Sequence, residues 1–158
     1  MKYESTQGGV RGITFEDVLL SGFASDGGLF MPECTPVVDL STLQSWVGLG
    51  YTDLAKKLVR LFIDETEIST VELEELLDRA FCKFNNPSIV QMTRLSSHLN
   101  ILELFHGPTL AFKDLAMLCV GQFLEYFLAK RKKHMTVLVC KFSSFITIGN
   151  ILLNKTNL

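Results

Sequence analysis

The segment from Leu110 to Lys133 constrains this chain most. Ala116, Met117, Leu118, Cys119, Val120, Phe123, Leu124 and Phe127 set apolar side chains on nearly every side of a helix. Such a helix needs cover on more than one face. Extended runs flank it. Ile89 to Met92 and Leu99 to Phe105 come before, the second alternating through Asn100-Ile101-Leu102-Glu103-Leu104, and the continuous apolar run Met135 to Cys140 follows. Strand, helix and strand in that order form the right-handed crossover that opens a parallel sheet, so the expected class is α/β. Lys113, Asp114, Gln122 and Glu125 interrupt the window Leu110 to Leu128, which falls short of the roughly 18 apolar residues a membrane span needs.

The first half of the chain reads as short helices with recognisable ends. Ser69-Thr70-Val71-Glu72 is a capping box, in which a serine hydroxyl and a glutamate satisfy each other's backbone N–H groups. Leu73, Leu76, Leu77, Ala80 and Phe81 then form one apolar stripe, stopped by Asn85-Asn86-Pro87. Leu54, Leu58, Leu61 and Phe62 predict a preceding helix, Ser41 with Gln44 a shorter one before Trp46, and Thr14-Phe15-Glu16-Asp17 another that ends near Gly22. Asp26-Gly27-Gly28 is a turn leading into the extended piece Leu29-Phe30-Met31.

Charge argues against a nucleic-acid partner. Residues 1–109 hold 8 basic and 15 acidic groups, and residues 110–158 hold 7 and 2. The basic tetrad Lys130-Arg131-Lys132-Lys133 sits where cations complement the last turn of the long helix. Cys34, Cys82, Cys119 and Cys140 contain no CxxC pair, which predicts reduced core thiols rather than bridges or zinc ligands. No apolar stretch follows Lys2, so a secretory leader is not expected and the cytoplasm is the default compartment.

Lys113 is the most pointed candidate for chemistry. Set among Leu110, Ala111, Phe112 and Leu115, it is expected to lose hydration, which favours the neutral amine that acts as nucleophile or base. The competing reading is a surface lysine paired with Asp114 or Glu103. His106, before Gly107-Pro108, is either a base or a hydrogen-bonding member of a turn. No His/Cys/Asp cluster has metal-ligand spacing, and neither GxSxG nor GxGxxG occurs.

Glu103-Leu104-Phe105-His106-Gly107-Pro108-Thr109-Leu110-Ala111-Phe112-Lys113-Asp114 closely resembles the lysine-bearing signature of threonine synthases. Tyr3-Glu4-Ser5-Thr6 and Asp26-Gly27-Gly28-Leu29-Phe30-Met31-Pro32-Glu33 resemble their N-terminal elements. The resemblance covers about residues 1–140 and is strongest to the vertebrate threonine synthase-like group. It implies a pyridoxal 5'-phosphate enzyme of the tryptophan-synthase-β type (fold type II), with an N-terminal helical domain at 1–90, the start of the cofactor domain at 91–140 and a divergent tail at 141–158. The lysine matching Lys113 would form the internal aldimine, hold the cofactor and shuttle protons. The substrates implied are O-phosphohomoserine or O-phosphothreonine, with phosphate released by a lyase reaction.

The family continues beyond the strand matching Met135 to Cys140 with a Gly/Ser/Thr-rich phosphate loop, where this chain has Lys141-Phe142-Ser143-Ser144-Phe145. An impaired enzyme is therefore expected, as a shortened product of alternative splicing would be. The alternative is a non-catalytic isoform, acting as a partner-binding or secreted signalling protein, with Asn154-Lys155-Thr156 as a formal glycosylation sequon. Exposed apolar sheet surface around Val137, Leu138 and Val139 is expected to favour self-association or a protein partner.

Overall fold

The computed structural model describes residues 1–137. The chain forms two units, Met1–Leu77 and the residues from Asp78 onward. In the first, strand β1 (Tyr3–Ser5) pairs antiparallel with β2 (Phe30–Pro32), Tyr3 opposite Pro32 and Ser5 opposite Phe30. Helix α1 (Phe15–Ser21) starts at Thr14, whose hydroxyl accepts from the Asp17 N–H, and stops at Gly22, where φ of 72° suits a residue without Cβ. Glu67 accepts the next free N–H groups of that helix, from Phe15 and Glu16.

Helix α2 (Leu40–Ser45) is capped by Asp39 rather than Ser41, since the Asp39 carboxylate accepts from the Thr42 N–H and the Ser41 hydroxyl. Helix α3 (Tyr51–Arg60) ends before Leu61 and Phe62, and the Arg60 guanidinium holds the Ile63 and Ile68 carbonyls beyond it. Helix α4 (Thr70–Phe81) has the expected capping box: Ser69 N–H donates to Glu72, and Glu72 N–H to the Ser69 hydroxyl. All five residues of its apolar stripe are buried; Leu73, Leu76 and Leu77 join Tyr3, Ala24, Ile63 and Ile68 as the buried apolar residues of the first unit, and Ala80 and Phe81 belong to the second.

In the second unit β3 (Gln91–Arg94) and β4 (Asn100–Glu103) form an antiparallel hairpin, Gln91 opposite Glu103 and Arg94 opposite Asn100. The expected strand runs therefore pair with each other. The parallel crossover from Leu99–Phe105 to Met135–Cys140 is not among the described residues: 135–137 carry no ladder, and Leu138 to Cys140 lie outside them. Helix α5 (Asp114–Arg131) buries Gly121, Phe123, Phe127 and Leu128, alongside Phe84 and Ile89. It begins four residues later than the apolar pattern, because Leu110 to Lys113 form a turn. No helix among the described residues is long and apolar enough to cross a membrane.

The cysteines depart from the expectation of core thiols. Cys34 and Cys82 are exposed and Cys119 is half-buried, all three free, while Cys140 lies outside the described residues. Cys82 follows the last turn of α4 one position past the buried stripe, so its thiol turns outward and donates to the Arg79 carbonyl. Burial pushes the Cys119 thiol up to about 11.

Candidate functional site

Residues 103–114 fold as two consecutive turns between β4 and α5. Leu110 N–H donates to the Gly107 carbonyl at 3.0 Å, and Asp114 N–H to the Ala111 carbonyl at 3.0 Å. Between them Leu110 takes a φ of 58°, a left-handed conformation that a branched side chain adopts only under constraint. The constraint is visible. The Asp114 carboxylate, with Asp114 only 7% exposed, accepts from the Thr109 N–H at 2.8 Å and from the Thr109 hydroxyl at 2.7 Å. Gly107 lies so close to that carboxylate that a Cβ there would overlap it.

This clasp places Lys113 at the N-cap position of α5, in helical conformation. Lys113 is exposed, which corrects the expected desolvation: Leu110 and Phe112 are themselves 74% and 63% exposed and do not enclose the amine. Nor is Lys113 paired with its acidic neighbours. Asp114 is held by Thr109, Glu103 accepts from Thr93 and is joined to His106, and among the described residues the Lys113 amine has no ion-pair or hydrogen-bond partner.

His106 belongs to a second network. Asn86 Oδ1 accepts from the Ser88 N–H at 2.9 Å, which leaves Asn86 Nδ2 to donate to His106 Nδ1 at 3.2 Å. The proton of the neutral ring is then on Nε2, donated to Glu103 Oε2 at 2.8 Å. Glu103 also accepts from the Thr93 hydroxyl at 2.5 Å, and these two donors, Thr93 first, hold its carboxyl below the ordinary range. Both ring nitrogens are occupied, so His106 acts as a structural member of the turn rather than as a base. The sequence brought out Lys113 and His106 but not Thr109, Asp114 or Asn86. The Thr-x4-Asp spacing directly after a Gly-Pro pair, and Asn-Pro-Ser as a side-chain-closed turn, are the local signals for them.

Pyridoxal phosphate, which the resemblance implies, needs an amine for its aldehyde and donors for its phosphate. Lys113, exposed and unpartnered among the described residues, fits the first. The head of α5 has no N–H to spare for the second: Asp114, Leu115 and Ala116 donate to Ala111, Phe112 and Lys113 at 3.0, 3.3 and 3.1 Å. The site therefore fits the group at its carbonyl end, and the phosphate would be held by donors other than these. Among the described residues no set of three or more His, Cys, Asp or Glu is placed to hold a metal ion.

Residues 2–81 match the family model "Threonine synthase N terminus". Threonine synthase-like 2 from Xenopus laevis is 55% identical over 139 residues, 88% of this chain and 29% of that protein. Pyridoxal-phosphate-bound threonine synthase from Brucella melitensis superposes with a TM-score of 0.80 at 35% identity, over 84% of this chain and 28% of that one. Yeast threonine synthase gives 0.77 at 39%, over 82% and 27%. The chain thus spans under a third of the length of the relatives it matches, and the part it spans has their α/β fold.

Proposed function

Because this chain belongs to the threonine synthase family, we propose that it carries the family's N-terminal domain at 1–90 and the start of its cofactor domain at 91–140, with Lys113 as the point of covalent attachment for pyridoxal phosphate. The reaction class is phosphate release from a small phosphorylated amino acid, O-phosphohomoserine or O-phosphothreonine. When bound, the cofactor supplies an electron sink that weakens bonds at the substrate's carbons. Lys113 Nζ supplies a primary amine for attachment and, once released, a group that accepts and returns a proton from its fixed place at the head of α5. His106 and Glu103 brace the loop between β4 and that helix.

The observation that carries this reading is the exposed Lys113 amine, unpartnered among the described residues, inside the segment Glu103 to Asp114 that resembles the lysine signature. The 158-residue chain by itself is proposed to hold the cofactor weakly. Attachment through one amine is reversible and unoriented, and the N–H groups at the head of α5 are already used. Titration with pyridoxal phosphate, followed by borohydride reduction and peptide mapping, tests it. Modification concentrated at Lys113 supports the reading; modification spread evenly over the lysines overturns it. The competing reading, a non-catalytic partner-binding isoform, draws on the exposed Met92, Leu95, Leu99 and Leu102 of the hairpin, and a chain with no preference for Lys113 would favour it.

A further inference from the structure

We propose that Thr109 and Asp114 are positioning residues for the Lys113 amine: their two hydrogen bonds lock the turn at Leu110 and thereby present Lys113 for addition to a carbonyl. The proposal rests on the reading of Lys113 as the cofactor tether. Three observations carry it. The Asp114 carboxylate is buried and takes both polar hydrogens of Thr109, at 2.8 and 2.7 Å. Leu110, between them, is in a left-handed conformation that only surrounding contacts sustain. Gly107 fits against the same carboxylate at a spacing that admits no Cβ.

The clasp does two things for the lysine. It fixes the backbone immediately before α5, so that Lys113 leaves the chain in one direction rather than from a frayed first turn. It also turns away the carboxylate nearest in sequence, while Glu103 is occupied by Thr93 and His106. The amine is left without a carboxylate partner among the described residues, free to reach an incoming carbonyl. Bringing a nucleophile to one place is worth large factors in rate.

The test measures where pyridoxal phosphate is fixed by borohydride. The Lys113 lone pair adds to the aldehyde carbon, water leaves, and hydride reduces the resulting C=N bond to a stable secondary amine. The readout is the ratio of modification at Lys113 to that at Lys130, on the same helix, in the wild-type chain, Thr109→Val and Thr109→Ser. Thr109→Val keeps the volume and the backbone N–H but loses the hydroxyl. The expected result is a ratio lowered roughly tenfold or more in Thr109→Val, as loss of alignment predicts, and restored in Thr109→Ser, with native far-UV circular dichroism in all three. A purely structural role would change both lysines together.

An unchanged ratio in a folded Thr109→Val chain overturns the proposal and leaves the tether reading standing. A wild-type ratio near one overturns both. Should Thr109→Val fail to fold, Asp114→Asn, which keeps the volume and one acceptor oxygen, is read by the same criterion: a lowered ratio supports the clasp and an unchanged one overturns it.

Discussion

The Nε2–H of His106 donates to Glu103 Oε2 at 2.8 Å, and that bond ties the last residue of β4 to the loop that leads into α5. Glu103 keeps a second donor in Thr93, across the hairpin. His106→Ala therefore shifts the Glu103 titration up toward the ordinary carboxylate range without taking it all the way there, as NMR of the side-chain carboxyl checks. Modification of Lys113 by pyridoxal phosphate should persist in this variant, because the Thr109–Asp114 clasp is untouched. Loss of labelling would assign the ring a direct part.

Lys113→Ala separates function from folding. The side chain is exposed and makes no bond among the described residues, so its removal changes stability by no more than about 0.5 kcal/mol. The same variant loses the borohydride-fixed cofactor at that position. Urea unfolding and peptide mapping on one preparation check both halves.

Gly107→Ala drives a methyl into the Asp114 carboxylate, whose Cβ and Oδ2 already crowd the position. Overpacking of this kind costs about 1–3 kcal/mol. The denaturation midpoint should fall accordingly, and because Asp114 has to move, the Lys113 labelling ratio should fall with it.

Acid weakens the first unit through Asp26. Its carboxylate accepts from the Ser5 hydroxyl at 2.6 Å and from the Gly28 and Gly9 N–H groups at 3.0 and 2.9 Å, which lower its affinity for a proton, Ser5 most. A folded-state value below the unfolded one means a contribution fully present above the ordinary value of 3.8 and lost as pH falls through the lowered value. Asp26→Asn is expected to unfold more readily at neutral pH and to show a shallower loss of stability below pH ~4, measured by urea denaturation across the acid range.

The thiols divide by exposure. Iodoacetamide at neutral pH should modify Cys34 and Cys82 well before Cys119, whose half-buried thiol on α5 is pushed up to about 11 by desolvation. Mass spectrometry of timed samples gives the order directly.

Local chemistry made the helices legible. The Ser69–Glu72 box, the Thr14 cap and the stripe Leu73 to Phe81 each depend on residues within a few positions of one another. What the sequence hid depends on distant partners. Strand β1 is three residues long and acquires its meaning only opposite Phe30–Pro32. The runs at 89–92 and 99–105 were visible as extended, but their pairing as a hairpin rests on the Leu95–Leu99 turn, which carries no Gly or Pro signal. At the site, the apolar neighbours of Lys113 suggested a buried amine. Leu110, turned outward by its left-handed backbone, shows why adjacency along the chain did not mean enclosure.

The Tyr3 hydroxyl donates to the Phe62 carbonyl at 2.7 Å, across 59 positions of sequence. A ribosome adding about 5–20 residues per second needs roughly 3–12 s to deliver the second partner after the first. During that interval the nascent N-terminal segment lacks the Phe62 carbonyl that its tyrosine bonds in the folded unit, so the first unit closes late in its own synthesis, and chaperones that bind apolar segments compete with that closure.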